Sequence, residues 1–211
     1  MALPSAFMKR HSGLLEAAGI AIVLAGFGFL SQRAFYGALL LLAVSAWALS
    51  RHIGNREETL AFFGLSAQTR RLPWWIGAGL ATGGMAWISF YVVPGREIPM
   101  PGLGWFALSA AGIGLAEEVV YRGFLYSLVK RYGHILAIAF TAVAHTGYKL
   151  ALLSPYQSVH LFSVLQWTLF AGIVLGGLRA LSGSTWPAIL NHVVFDVLVY
   201  GNAAKGPEWV W

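Results

Sequence analysis

No cysteine occurs in this 211-residue chain. That excludes disulfides, thiolate metal ligands and a cysteine nucleophile. Charge is almost as scarce, with only 10% Asp, Glu, Lys and Arg against ~25% in soluble globular domains. With 58% hydrophobic residues and a mean hydropathy of +0.68, the chain cannot cover a water-facing surface, and it reads as a polytopic membrane protein. The formal net charge is +6, but the 14 Lys and Arg are scattered among apolar segments instead of lining one face, which argues against a nucleic-acid partner. Internal repeats and low-complexity tracts are also missing, which weakens a transporter built from inverted repeats. The length fits one membrane-embedded domain over residues 1–211 and leaves no room for a sizeable soluble one.

What is present is a series of apolar runs. Residues 13–30, 34–50, 73–93, 103–125, 133–150, 160–178 and 184–201 each approach the ~20 residues a helix needs to cross the hydrocarbon. The expectation is an all-α transmembrane bundle of about seven spans. The first run follows Lys9, Arg10 and His11 but carries Glu16 and lacks a small-x-small cleavage site, so it reads as a span and not a signal peptide. Lys9, Arg10, Arg51, Arg56, Arg70, Arg71, Lys130, Arg131 and Arg179 then fall on one side, and Arg33, Arg96, Lys149 and Lys205 on the other. Nine against four predicts a cytoplasmic N-terminus.

Between spans, residues 51–72 mix apolar and charged residues at helix-like spacing, which fits an interfacial amphipathic segment or a solvated linker. Pro73, Trp74 and Trp75 open the third span as a helix start with interfacial indoles. Residues 93–102, with three prolines and two glycines, exclude a helix. Glycines at 77, 79, 83, 84, 112, 172, 176 and 177 offer close helix approach.

Inside the fourth run lies Glu117-Glu118-Val-Val-Tyr121-Arg122. A charge at mid-bilayer depth costs ~3 kcal/mol on insertion scales, so an intramembrane acid marks a functional site by default. Glu118 and Arg122 are four apart and form an ion pair on a helix, whereas Glu117 points about 100° away with Tyr121 one turn below it. One acid is anchored and the other is left for chemistry. The remaining titratable groups within spans are Glu16, His145, His192 and Asp196, with His134 and His160 near span ends. His192 and Asp196, four apart, share one helix face.

Two acids on one helix, a histidine on the next and a histidine with an acid on the last form a set that can converge in a bundle core. The set contains a general base, imidazoles and an orienting acid but no activated nucleophile, which points to water as the attacking group. His192 is suited by type to stabilise an oxyanion. Zinc is the rival: Glu117, His145, His192 and Asp196 are acceptable ligands, although no His-Glu-x-x-His helix is present. The expectation is a site without cofactor, with zinc the alternative.

Glu117-Glu118-x-x-x-Arg122, His145 on the following span and His192-x-x-x-Asp196 resemble the three signature motifs of the CAAX protease and bacteriocin-processing (Abi) family of membrane endopeptidases. Gly172 to Arg179 and Ser182 to Pro187 resemble that family's approach to its last motif. The resemblance spans about residues 103–200. It implies an intramembrane protease in which Glu117 and His145 activate water, while His192 and Asp196 serve the oxyanion side. Glu118, Arg122 and Tyr121 then support. Thr141 stands where the family usually has phenylalanine, with Phe140 one residue earlier. Asp196 stands where many members have asparagine; an ionised aspartate cannot donate to an oxyanion, so Asp196 either orients His192 or stays protonated.

The resemblance also implies a multi-pass protein of a bacterial or archaeal cell membrane whose partners are the lipid bilayer and a protein or peptide substrate, lipidated or not. Two other classes stay open. One is a non-catalytic membrane partner of the bacteriocin-immunity kind, retaining the polar set for packing. The other is a proton-coupled carrier using the same acids and histidines as a relay.

Overall fold

The computed structural model describes residues 5–31, 33–66, 71–100, 102–155 and 161–201. Arg70, His160 and Lys205, and the side chains of Lys9, Arg10 and His11, lie outside the described residues. Among the described residues there is no strand, and the fold is a helical membrane bundle.

The apolar runs become α1 (Ser5–Ser31), α2 (Phe35–Ser50), α4 (Leu72–Val92), α5 (Trp105–Glu118), α7 (His134–Leu153), α8 (Leu161–Ser182) and α9 (Trp186–Tyr200), with the short α3 (Arg56–Phe62) in the polar connection. Stretches of α1 (Ser12–Ser31), α7 and α8 are long and apolar enough to cross a membrane, while α2 and α9 are shorter apolar helices. Outward-facing Ile22, Leu40, Trp74, Trp105 and Phe162 are all more than half exposed, as side chains bordering lipid are. The expected break after α4 is observed, with residues 96–100 non-helical and exposed.

The fourth run is one rod with a change of pitch. Helix α5 continues through a π-helical segment, Val119–Leu125, into α6 (Tyr126–Val129) and a 3₁₀ turn at Lys130–Tyr132. π turns are rare and collect at functional sites, and this one begins directly after the two acids.

Small residues set the spacing of the helices around it. A Cβ on Gly83 would lie 2.6 Å from the Asn191 carbonyl, and one on Gly79 would strike the Pro187 carbonyl, so α4 sits against α9 backbone to backbone. Gly172 does the same between α8 and Ala142 of α7, where a Cβ would meet the Ala142 Cβ at 2.8 Å. Gly77, Gly84, Gly112 and Gly177 have open space where a side chain would be; the expectation of close approach does not hold there. Gly114 brings α5 onto α9 beside His192 and Asp196.

The polar connection ends on protein. Helix α3 starts with Asn55, whose Oδ1 accepts from Glu58 N at 2.9 Å, as an N-cap should. Its far end is clamped by side chains from the core. Ser127 Oγ donates to the Phe62 carbonyl, Thr185 Oγ1 to Phe63 O at 2.6 Å, Ser184 Oγ to Gly64 O at 3.1 Å and Trp186 Nε1 to Leu65 O at 3.0 Å. Gly64 adopts a φ of +67°, with Arg179 packed where a Cβ would stand, so only glycine turns the chain here without strain. Phe63, 4% exposed, packs on Phe124 and over Gly123 of the π segment.

Candidate active site

Three helices and the π segment carry the polar set to one place. Glu117 and Glu118 close α5, Arg122 lies within the π segment, His145 stands mid-α7, and His192 and Asp196 lie one turn apart on α9. Glu118 and Arg122 are fully buried and Glu117 is 8% exposed. Charges at that depth require partners, and the partners are specific.

Arg122 Nη1 donates to Glu118 Oε1 at 2.9 Å. The same Nη1 lies 3.2 Å from His145 Nδ1. A guanidinium has donors only, so His145 Nδ1 accepts and its proton sits on Nε2. From there it donates to Glu117 Oε2 at 2.9 Å. Tyr121 stacks on the His145 ring at 4.4 Å between centroids and fixes the ring plane. Thr141, at the position before His145 where phenylalanine was the family expectation, is fully buried and returns its hydroxyl to Ala137 O at 2.8 Å. The ring stacked on His145 at 4.4 Å comes from the neighbouring rod, and Tyr148 of α7 itself stacks at 6.5 Å.

His192 meets a second acid besides Asp196. Its Nδ1 lies 2.9 Å from Glu118 Oε1, an acceptor, so Nδ1 carries a proton. Nε2 is left facing Asp196 Oδ2 at 3.6 Å and Glu117 Oε2 at 3.9 Å, both beyond direct hydrogen-bond length. Glu118 thus hydrogen-bonds one nitrogen of His192, and Asp196 stands by the other within ion-pair range. His145, Lys149 and His192, the neighbours of the Glu117 carboxylate, and Asp196 line a cavity of about 200 Å³ together with Phe90, Trp167, Leu175, Phe195 and other apolar side chains. A polar corner in an otherwise apolar pocket is the common form of a binding site.

The sequence reading missed Lys149. Counted there as a flanking charge, it sits one turn beyond His145 on α7, which runs on to Leu153, and its Nζ meets Glu117 Oε1 at 2.6 Å. The i, i+4 spacing from His145 was the available signal. Asn191, 7% exposed, also lines the cavity and donates to Thr82 Oγ1 at 2.7 Å, which leaves its second amide hydrogen available. Glu118 Oε2 and Arg122 Nε and Nη2 are buried without a protein partner.

Among the described residues, no group of three or more His, Asp and Glu is arranged to hold a metal ion. The local reason lies in the charges: one oxygen of Glu117 faces an ammonium, and Glu118 is committed to a guanidinium.

Residues 99–198 match the family model described as type II CAAX prenyl endopeptidase Rce1-like. Comparison with curated proteins gives no match, and comparison with solved structures gives none.

Proposed function

We propose that the chain, a helical membrane protein whose residues 99–198 match the Rce1-like CAAX endopeptidase family model, is a membrane endopeptidase in which Glu117 activates water against a peptide bond. The observation that carries this reading is the buried Glu117 carboxylate, with Oε2 held by His145 Nε2 and 3.9 Å from His192 Nε2, both histidines lining the cavity. Oε2 has a second lone pair for a water proton. Glu117 takes that proton as the water oxygen bonds to the scissile carbonyl carbon, and the negative charge moves to the carbonyl oxygen. His192, protonated on both nitrogens, donates from Nε2 to that oxyanion, with Asn191 Nδ2 as a second donor within the same cavity. Collapse breaks the carbon–nitrogen bond, and Glu117 returns its proton to the leaving amine.

In this reading His145 is no base, since its Nε2 already carries a proton; it orders Glu117. The mechanism uses no metal, because a divalent ion at Glu117 would have to displace the Lys149 ammonium. The substrate is a membrane-associated protein or peptide whose apolar part occupies the cavity. We further read the chain as crossing the membrane seven times with its N-terminus cytoplasmic, which reporter fusions to each loop test directly.

The test of the activity uses purified protein in detergent with two internally quenched peptides, one carrying an S-prenylated cysteine three residues from its C-terminus and one identical but unprenylated. Cleavage of either, abolished in Glu117→Gln at unchanged melting temperature, is the expected result. Cleavage that persists in Glu117→Gln would overturn the assignment.

A further inference from the structure

Lys149 belongs to none of the three motifs, yet it reaches the middle of the site. It stands four residues beyond His145, so both side chains leave the same face of α7. Its side chain is 19% exposed, lines the cavity with His192 and Asp196, and brings Nζ to 2.6 Å from Glu117 Oε1.

Charge counting gives this contact its weight. The site holds three carboxylates, Glu117, Glu118 and Asp196, and two fixed cations, Arg122 and Lys149. Arg122 is committed to Glu118 at 2.9 Å. Among the described residues, Lys149 is therefore the fixed cation on Glu117. Geometry adds a second consequence. A carboxylate turns readily about its last torsion, which is broad and two-fold. Here one oxygen is held by Lys149 from one side and the other by His145 at 2.9 Å. Two donors on two oxygens block the turn and leave Oε2 a second lone pair beside His192 Nε2, 3.9 Å away.

From this arrangement we infer that Lys149 is a positioning residue for Glu117: its ammonium holds Oε1, so that Oε2 is the oxygen presented to water. The inference rests on the endopeptidase reading above. It differs from a plain tether between α5 and α7, which would affect folding and leave turnover of the folded protein intact.

The chain has no cysteine, so Lys149→Cys carries a single thiol. 2-Bromoethylamine alkylates it, the thiolate sulfur displacing bromide, and the product is a lysine analogue with sulfur in place of the γ-methylene. Iodoacetamide gives a neutral side chain of similar reach. Measured on whichever of the two peptides the wild type cuts, Lys149→Cys should lower kcat by roughly tenfold to a hundredfold, the loss expected for one charge-assisted hydrogen bond, with KM little changed. Aminoethylation should restore most of the loss, and carbamidomethylation should restore none. Lys149→Arg and Lys149→Gln carry the same comparison if the cysteine variant does not fold; the arginine variant should then exceed the glutamine variant by about tenfold or more. Wild-type kcat in Lys149→Cys, equal rescue by both reagents, or equal activity of the arginine and glutamine variants overturns the inference. Glu117→Gln, run in parallel, separates the two claims. Cleavage that is absent, or that does not depend on Glu117, overturns the endopeptidase reading and this inference with it. Cleavage that depends on Glu117 but not on charge at 149 overturns the inference alone.

Discussion

Replacing Glu118 by glutamine removes one charge from a pair that sees no solvent, since Glu118 and Arg122 side chains are each 0% exposed. The shape is kept, so the effect isolates electrostatics. Arg122 would retain the 3.2 Å contact to His145 Nδ1 and a weaker bond to the amide oxygen, while its Nε and Nη2 already lack protein partners. A buried cation left in that state typically costs ~3–5 kcal/mol. Against a total stability of ~5–15 kcal/mol, this predicts a sharply lower yield of monodisperse protein and a melting temperature lower by roughly 6–20 °C at ~2–4 °C per kcal/mol. The stronger assay is a double-mutant cycle with Arg122→Met. Each single variant leaves an uncompensated partner, whereas the double variant leaves none, so the double should be less destabilised than the sum of the singles by ~1–3 kcal/mol. A Glu118→Gln protein as stable as wild type, or strictly additive singles, would refute the claim that this pair is a buried, mutually dependent unit.

Other expectations follow from the same geometry. Gly83→Leu should separate α4 from α9, because its Cβ would stand 2.6 Å from the Asn191 carbonyl; loss of folded yield checks it, and a well-folded variant would show that the helices can part. By contrast, Gly112→Ala, with nothing within 4 Å of its Cβ, should fold normally and gain a few tenths to ~1 kcal/mol from helix propensity, read as an unchanged or raised melting temperature. Elemental analysis of purified, active protein should find far less than one zinc per chain, with turnover unaffected by chelators; stoichiometric zinc whose removal abolishes activity and whose return restores it would make Glu117, His145, His192 and Asp196 candidate ligands.

Much of this was legible in the sequence for a simple physical reason. In a chain with 10% charged residues, an ionisable group inside an apolar run must be buried with a partner, so Glu117, Glu118, Arg122, His145, His192 and Asp196 announce themselves. Helical spacing then sorts near neighbours, as in the Glu118–Arg122 pair at 2.9 Å. It fails for partners far apart in the chain. Asp196 is the near acid for His192, 3.6 Å from Nε2, and the acid that hydrogen-bonds it is Glu118, 74 residues away. Lys149 was misread because a lysine near a span end gives the same signal whether it snorkels outward or turns inward. The anchoring of residues 62–65 was hidden too. Its acceptors are backbone carbonyls, which every residue carries, and its donors, Ser127, Ser184, Thr185 and Trp186, look like ordinary helix-end residues. Nothing in the composition of Val119–Leu125 marks the π segment.

The two adjacent acids divide their work through protons. Glu118 Oε1 accepts from both Arg122 Nη1 and His192 Nδ1, and the same Arg122 Nη1 donates to His145 Nδ1. One buried ion pair therefore fixes the tautomer of His145, protonated on Nε2, and holds the Nδ1 proton of His192 on another helix. The first choice aims a proton at Glu117, and the second turns Nε2 of His192 toward Asp196 and Glu117. Interchanging the acids would undo both, since Glu117 is bound by Lys149 and has no guanidinium through which to reach His145. Position in the rod explains why the roles fall this way. Glu118 and Arg122 face inward on one helical stripe, while Glu117, 8% exposed, points about 100° round the axis toward His145 and Lys149. Glu118, wholly buried, holds Arg122 and His192, and Glu117 is the acid left to Lys149 and His145.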